Sequence, residues 1–390
     1  VSAETTAATS RRPPLWRDVR VLAWAFQLGV AAVVVAVVWY LVRNYIDNTE
    51  ARGLSRDFTS WLDQPAGFPI PDSDFRQSQP NRDAIIEGFF NTLRLSITGI
   101  VLATVLGTVI GVGRLSQNFI IRTSTRAYVE FVRNVPLLAL VFLAFSAIVL
   151  NAFPAPNDSW ELGPIAVFNV RGSSVFWFEG ENWKALVVLL AALIVMFVVA
   201  RWRRAVFDRT GTPARTALWA IPIGLAVAVV VWILLGLGVT APTRDGTRVT
   251  GGIRMTPSYF AALIALVVYT SSHIAEIVRA SIQAVPRGQS EAADALALSP
   301  FQRLWYVVLP QAMRIGVPPI GNQFLNLTKN SSLALVISFP ELTKVTQLAT
   351  ASRAPSVPAY TLLLLIYLAI SLALSLIVNI VNRRLAIVER

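Results

Sequence analysis

The chain has 390 residues, of which 55% are hydrophobic and only 14% charged. Soluble domains carry about 25% charged residues, so composition alone places this protein in a membrane. Its 34 basic and 22 acidic residues give a net charge of +12, with no Cys and a single His; this excludes a disulfide framework, a thiolate metal site and a His-based catalytic cluster. In a soluble protein such a basic excess would point to nucleic acid. Here the charges lie between apolar runs, where they set topology and meet anionic lipid, so no nucleic-acid partner is expected.

Residues 1–18 are polar and carry Arg11, Arg12 and Arg17, which predicts a loosely ordered tail. Val21–Val42 is an uncharged run with Trp39 and Tyr40 near one end. It is too long for a signal-peptide core of about 7–15 residues, so 19–42 reads as a first transmembrane helix. The 43–87 stretch, with Pro65, Pro69, Pro71 and Pro80 and more acids than bases, predicts an external loop ordered in part by Phe58, Trp61, Leu62 and Phe68. Gly88–Gly113 is a second span, rich in small residues that let helices approach closely in lipid. A basic loop, Arg114–Glu130, leads to a third span at Phe131–Leu150, opened by Arg133-Asn134-Val135-Pro136.

Asn151–Trp183 is polar, with Asp158, Glu161, Glu179 and Glu181. Ala185–Ala200 is a short fourth span between Trp183 and Trp202, followed by basic Arg201–Arg215. Ala217–Gly238 is a fifth, kinked at Pro222. After the Gly/Thr/Arg loop Val239–Pro257 come the sixth span, Tyr259–Gln283, the polar seventh, Ile315–Phe339, and the eighth, Ala359–Asn382, which ends at Arg383-Arg384. The tail, the 114–130, 201–215 and 284–314 stretches and the C-terminal arginines fall on one side of this eight-span arrangement. The acid-rich 43–87 and 151–183 stretches fall on the other. The positive-inside rule then makes both termini cytoplasmic, against the weak exception of Arg244, Arg248 and Arg254.

Between the sixth and seventh spans lies a capped polar island, Gln289–Gln311. Glu291-Ala292-Ala293 opens a short helix that ends at Ser299-Pro300, since proline cannot continue a helix. Ser299 then caps a second helix, with Pro300 at its first position and Gln302 completing a capping box, and Leu309-Pro310 closes it. A first helix of about eight residues is only about 12 Å long and cannot cross a bilayer. It offers a knob for another protein to grip, or is an ordinary connecting loop.

Two spans carry polar stripes. Asn322, Asn326, Lys329 and Asn330 recur at helical spacing, flanked by Leu325 and Leu333 and preceded by Pro318-Pro319. A Lys at mid-membrane costs about 2.5–3.5 kcal/mol on insertion scales, so Lys329 faces a translocation pathway or a polar helix interface, not lipid. Ser272, Glu276, Arg279 and Gln283 line the sixth span; Glu276 and Arg279 are spaced for an ion pair within their helix, and His273 reads as a packing histidine before a proton relay. Glu130 with Arg126 and Arg133 reads as a solvated face at the membrane surface. No G-x-x-x-x-G-K-[ST] occurs, so the chain has no phosphate-cradling nest of its own.

Glu291-Ala292-Ala293 with Leu309-Pro310 eighteen residues after the glutamate resembles the EAA loop of ABC-importer permeases. Ala297 stands where that family usually has Gly; alanine keeps the helix, so the departure reads as tolerable. Four further pieces are similar to the polar-amino-acid branch: Gly88-Phe89-Phe90-Asn91-Thr92-Leu93, Glu130–Pro136 (E-F-x-R-G-T-P with Asn-Val for Gly-Thr), Tyr269–Ile282 (A-Y-x-x-E-x-x-R), and Lys329-Asn330-Ser331-Ser332-Leu333 (K-D-T-S-L with Asn for the acid). Asp57-Phe58 and Ala66-Gly67-Phe68 resemble the external loop of the larger subunits of general L-amino-acid permeases, close relatives of glutamate/glutamine/aspartate/asparagine importers.

The resemblance implies an all-α membrane protein with a type I ABC-importer core of five transmembrane helices and about three additional ones, eight in total. It divides the chain into a cytoplasmic tail (1–18), an extra helix (19–42), a periplasmic loop (43–87), a first core part (88–150), an insertion with two extra helices (151–257) and a second core part (258–386) holding the cytoplasmic coupling loop (284–314). It implies a bacterial inner-membrane permease, not itself an enzyme, in which Glu291, Ala292, Ala293, Ala297, Ser299, Leu309 and Pro310 dock on ATPase subunits. The implied partners are a homologous second permease, two ATPases that carry the ATP and Mg, a periplasmic binding protein and an L-amino acid. No cofactor or metal is expected on this chain. An ion-coupled secondary transporter using Glu276, His273 or Lys329 is the alternative; it would usually show an internal repeat, which is not evident here. A membrane-embedded enzyme is a poor third, with no clustered acids in the spans.

Overall fold

In the computed structural model, residues 19–51, 58–71, 73, 75–179, 182–210 and 216–385 are described. The 1–18 tail, Asp57, Glu181 and Arg215 lie outside them. The chain divides into two units, Val1–Gln64 and Pro65–Arg390. The first holds α1 (Val19–Ala51) and a 3-10 turn at Ser60–Asp63. α1 outlasts the predicted Val42 end because polar side chains bond along their own helix: Arg43 pairs with Asp47 at 3.8 Å, and the Asn48 amide donates to the Asn44 carbonyl at 2.7 Å.

The second unit begins its helices with α2 (Asn81–Gly113), seven residues before the expected start at Gly88. The stretch expected as a basic loop is mostly helix, α3 (Phe119–Asn134), because the Asn118 side chain caps it, accepting from the Ile120 and Ile121 amides at 2.9 and 3.3 Å. Phe131–Leu150 is therefore not one straight span. Pro136 pushes Val135 into extended backbone (φ −96°, ψ 131°), and the chain turns by 105° into α4 (Leu137–Leu143), which continues as a π-helix over Ala144–Ala152.

The stretch 151–257 is a set of nested excursions. β1 (Trp160–Glu161), β2 (Ala166–Asn169) and β3 (Gly172–Val175) pair antiparallel in sequence, and β4 (Trp177–Glu179) follows. Two helices come next, α5 (Asn182–Thr210) and α6 (Thr216–Leu234). The chain returns as β5 (Gly238–Thr240), which pairs with β4, and then as the hairpin of β6 (Thr243–Asp245) and β7 (Arg248–Thr250). β8 (Ile253–Met255) completes the four-stranded sheet in the order β1-β2-β3-β8. Arg244, an exception to the charge rule, lies 3.5 Å from Glu161. These strands are absent from the all-helical expectation: each has two to four residues, too few for an alternating pattern to register.

β8 feeds α7 (Pro257–Gln283), capped by the Thr256 hydroxyl on the Tyr259 amide at 3.0 Å. α8 (Arg287–Ala295), α9 (Pro300–Arg303), a π turn (Leu304–Val308) and α10 (Leu309–Asn330) follow. A 3-10 segment (Ser331–Ile337), α11 (Leu342–Ser352) and α12 (Ser356–Leu385) complete the chain. The core sits where α2, α4, α7 and α10 meet, around Leu95, Leu140, Leu266, Ile274 and Leu327. Along α2 the buried face is small at the points of closest approach. A Cβ on Gly107 would lie 2.7 Å from the Ile274 Cβ and 2.8 Å from the Ser271 carbonyl oxygen, and one on Gly111 2.7 Å from the Ala275 oxygen. Small side chains there let two backbones touch.

Among the described residues, four helices are long and apolar enough to cross a membrane: Leu22–Asn48, Asn81–Gly113, Pro257–Gln283 and Ser356–Arg383. The bent α3–α4 pair makes a possible fifth. This is a multi-pass membrane protein. The predicted fourth, fifth and seventh spans coincide with α5, α6 and α10 with its 3-10 extension.

Candidate functional site

α7 runs straight into the polar island. The first short helix, α8, carries Glu291 and Ala292 exposed, while Ala293 is buried at its base. α8 does not run on to Ser299: it stops at Ala295, and Ala297 takes the left-handed conformation (φ 53°). The Leu298 amide reaches back to the Ala293 carbonyl at 3.1 Å and the Ala297 amide to Asp294 at 2.9 Å, the paired bonds of a Schellman ending. Contrary to the sequence expectation, Ala297 is not a helical residue. Alanine is not keeping a helix there; it sits where glycine is favoured because a Cβ crowds the following carbonyl, at a cost of about 1 kcal/mol.

Ser299 then caps α9. Its hydroxyl accepts from the Gln302 amide at 3.3 Å, and the Gln302 side chain accepts from the Ser299 amide at 2.9 Å. Both Asp294 oxygens lie 2.8 Å from one Arg303 nitrogen, fastening α8 to α9, and Gln311 donates to Gln289 at 3.1 Å. Leu309-Pro310 does not close the second helix, as the sequence suggested. Pro310 lacks the N–H that a continuous α-ladder needs, and the chain passes it through the π turn into α10. The island presents a bare apolar knob, with Phe301 70% and Tyr306 68% exposed and Phe301 stacked on Trp305 at 6.1 Å.

Above the island, Glu276 pairs with Arg279 on its own helix and with Arg114, the residue that caps α2. Arg279 also donates to Gln283. The three charged side chains are 12% (Arg114), 26% (Glu276) and 27% (Arg279) exposed. Sequence reasoning found the i,i+3 half of this cluster; Arg114 is 162 positions from Glu276, and no local spacing marks it. His273 packs its ring 4.7 Å from Tyr269. The Arg126–Glu130 pair is exposed, at 2.7 Å.

On α10, Asn322, Asn326 and Lys329 are exposed and Asn330 half-buried, while Gly321, Leu327 and Thr328 on the opposite side are buried in the core. The polar stripe therefore faces away from this subunit's own packing. Lys329 has no carboxylate partner among the described residues.

At the opposite end of α7 from the island, a cavity of about 820 Å³ opens between α2, the start of α7, residues 71–79 and Phe339-Pro340. Asn91 donates to the Pro340 carbonyl at 3.1 Å, and Thr92 accepts from the Leu342 amide at 3.0 Å, so this wall is hydrogen-bonded. Glu341, in the turn before α11 and outside the spans, is fully buried. It accepts from the Thr343 and Lys344 amides and from the Tyr367 hydroxyl, each at 2.8 Å. Burial pushes its carboxyl up to about 7, against these hydrogen bonds. Neither the cavity nor Glu341 was singled out from sequence. An acid just before a helical run (Glu341-Leu342-Thr343-Lys344) was a cap signal available to be read. Among the described residues there is no cluster of metal-ligating side chains.

Residues 192–387 match the family described as "Binding-protein-dependent transport system inner membrane component". Over 381 residues, 95% of each chain, the protein is 37% identical to the putative amino-acid ABC transporter permease protein YhdX of Escherichia coli. It is 35% identical over 371 residues to the general L-amino acid transport system permease protein AapQ of Rhizobium johnstonii, covering 94% of this chain and 92% of that one. It is 36% identical over 413 residues to the glutamate/glutamine/aspartate/asparagine transport system permease protein BztB of Rhodobacter capsulatus, covering 96% of each.

Proposed function

The chain belongs to the family of binding-protein-dependent transport system inner membrane components, and from that premise we propose that it is the permease of an ATP-driven importer of L-amino acids. The permease role itself is a non-catalytic one. The amino-acid cargo is supported by the three relatives, which are named as amino-acid transport permeases. The partners are a second, homologous permease, two ATPase subunits holding ATP and Mg, and a periplasmic binding protein. The island is cytoplasmic, as are both termini.

The observation that carries this reading is the construction of the island. A helix too short to span, ended by a left-handed turn and pinned to the next helix by Asp294–Arg303, exposes Glu291, Phe301 and Tyr306. An exposed, rigidly braced apolar knob matches a socket on another protein. Glu291, Ala292, Ala293, Ala297, Ser299, Leu309 and Pro310 form or brace it. The outward polar stripe of Asn322, Asn326, Lys329 and Asn330 forms one wall of the pathway, completed by the second permease. Glu276 and Arg279 are structural.

Purification and reconstitution test this. Wild type co-elutes with an ATPase and supports amino-acid uptake in vesicles loaded with ATP. Glu291→Arg keeps the spans folded but lowers binding-protein-stimulated ATP turnover at least about tenfold, as loss of a central interface residue does. Uptake by this chain alone, driven by a proton gradient without ATP, would overturn the proposal and support an ion-coupled carrier instead.

A further inference from the structure

The cavity at the far end of α7 combines features that the coupling mechanism does not use. Asp83, Glu87, Asn91, Arg94 and Thr98 recur at i, i+4, i+8, i+11 and i+15 along α2, which places them on one stripe. The first four line the cavity, and Thr98 continues below them, its hydroxyl 2.8 Å from that of Tyr259. The Arg94 guanidinium lies over the Tyr259 ring at 4.7 Å and donates to the Arg254 carbonyl at 3.3 Å. The Tyr259 ring packs on Phe339 at 5.6 Å.

Charges of both signs line this one space without neutralising each other. Among the described residues Glu87 makes no ion pair, Arg94 and Arg254 have no carboxylate partner, and Asp83 touches only its neighbour Arg82, at 3.6 Å. Glu87 and Arg94 are two helical turns apart, about 10 Å along α2, so their long side chains can close on a small molecule from opposite ends. A plain anion would answer Arg94 and be repelled by Glu87; a plain cation would meet the reverse. A molecule carrying an ammonium and a carboxylate answers both. The aromatic floor and Ile86 supply apolar surface without shape selectivity, and the volume falls in the range of about 300–1,000 Å³ typical of small-molecule sites.

We propose that this cavity is a receiving site for a free zwitterionic α-amino acid, its carboxylate held by Arg94 and its ammonium by Glu87 with Asp83. The site rests on the amino-acid importer reading and adds to it a waiting position at the end of the permease opposite the coupling loop.

The test uses the assembled transporter in nanodiscs and photo-leucine, a diazirine amino acid with both termini free. On irradiation the peptide carrying residues 81–98 is labelled. Excess L-leucine competes; N-acetyl-L-leucine and L-leucine methyl ester, each lacking one charge, do not. Glu87→Gln and Arg94→Gln each lower labelling about tenfold, the worth of one charge-assisted hydrogen bond, while size-exclusion elution stays as in wild type. If a variant fails to assemble, the competitor series on wild type still decides. Labelling elsewhere only, or equal competition by all three compounds, overturns the site. Failure of the wild-type complex to import any amino acid overturns the importer reading instead, and is read separately in proteoliposomes.

Discussion

α7 and the α5–α6 pair are both long helical segments, yet the sequence uses them in opposite ways. α7 is packed against α2, α3, α4 and α10, and its small and polar residues (Ala261, Ala265, Thr270, Ser271, Ser272, Ala275) are buried. α5 and α6 pack chiefly on each other, through Val188, Ala192 and Ala220, and leave Leu189, Leu193, Phe197, Leu225 and Val229 exposed. In lipid the apolar effect does not pull helices together, so packing falls to small residues and polar bonds. The helix whose buried face is built of small and polar residues, and not the pair with the large apolar exposed faces, is the one that holds the subunit together.

Substitutions at the two interfaces sharpen this contrast. Gly107→Leu should have the largest effect, because the added side chain meets the Ile274 Cβ and the backbone of Ser271, neither of which can swing away. A loss of at least about 3 kcal/mol is expected, read as failed assembly or collapse of the detergent Tm. Gly224→Ala in α6 meets the Met196 side chain, which must change rotamer to clear it, and the Ala192 carbonyl oxygen at 3.3 Å, which need shift only slightly, so it should cost less, about 1 kcal/mol. Equal losses at the two glycines would remove the distinction.

Glu276→Ala comes next. It strands Arg114 and Arg279 in a largely enclosed place, costing on the order of 2 kcal/mol, between the values for exposed and fully buried pairs. Arg114→Ala should cost less, since Glu276 keeps Arg279. Glu341 then gives a pH signature. Its folded carboxyl titrates near 7 and an unfolded one near about 4.3, so folding favours the protonated form. Its contribution is full below about pH 4 and fades as pH rises through about 7. Wild-type Tm in detergent should carry that slope, and Glu341→Gln should flatten it. A gain of about 1 kcal/mol is expected at Ala297→Gly from relieving the left-handed turn. It should appear as slower proteolysis within 284–314 and nowhere else.

What was legible in the sequence was whatever local spacing encodes. The Ser299–Gln302 capping box, the uncharged run of α1 and the i,i+3 pairing of Glu276 with Arg279 all lie within a turn or two of chain. Features set by distant contacts were not legible: Arg114 at Glu276, Thr92 at Leu342, and the 105° bend that hides inside a continuous apolar stretch. Pro136 announced that bend, but hydropathy averaged over it. The α2 stripe from Asp83 to Thr98 has helical spacing too, but it straddles the step from polar to apolar composition at Gly88, which hides the continuity of the helix.

The pairing of β4 with β5 has a consequence for how this chain can be altered. Trp177 lies opposite Thr240 and Glu179 opposite Gly238, so the path leaves and rejoins the subunit at a single point. Everything between is a closed detour, and joining Glu179 to Gly238 through two turn-forming residues would bridge the gap with a hairpin. The α5–α6 pair thus hangs on a two-stranded neck, the place at which removal, exchange or tagging would be attempted.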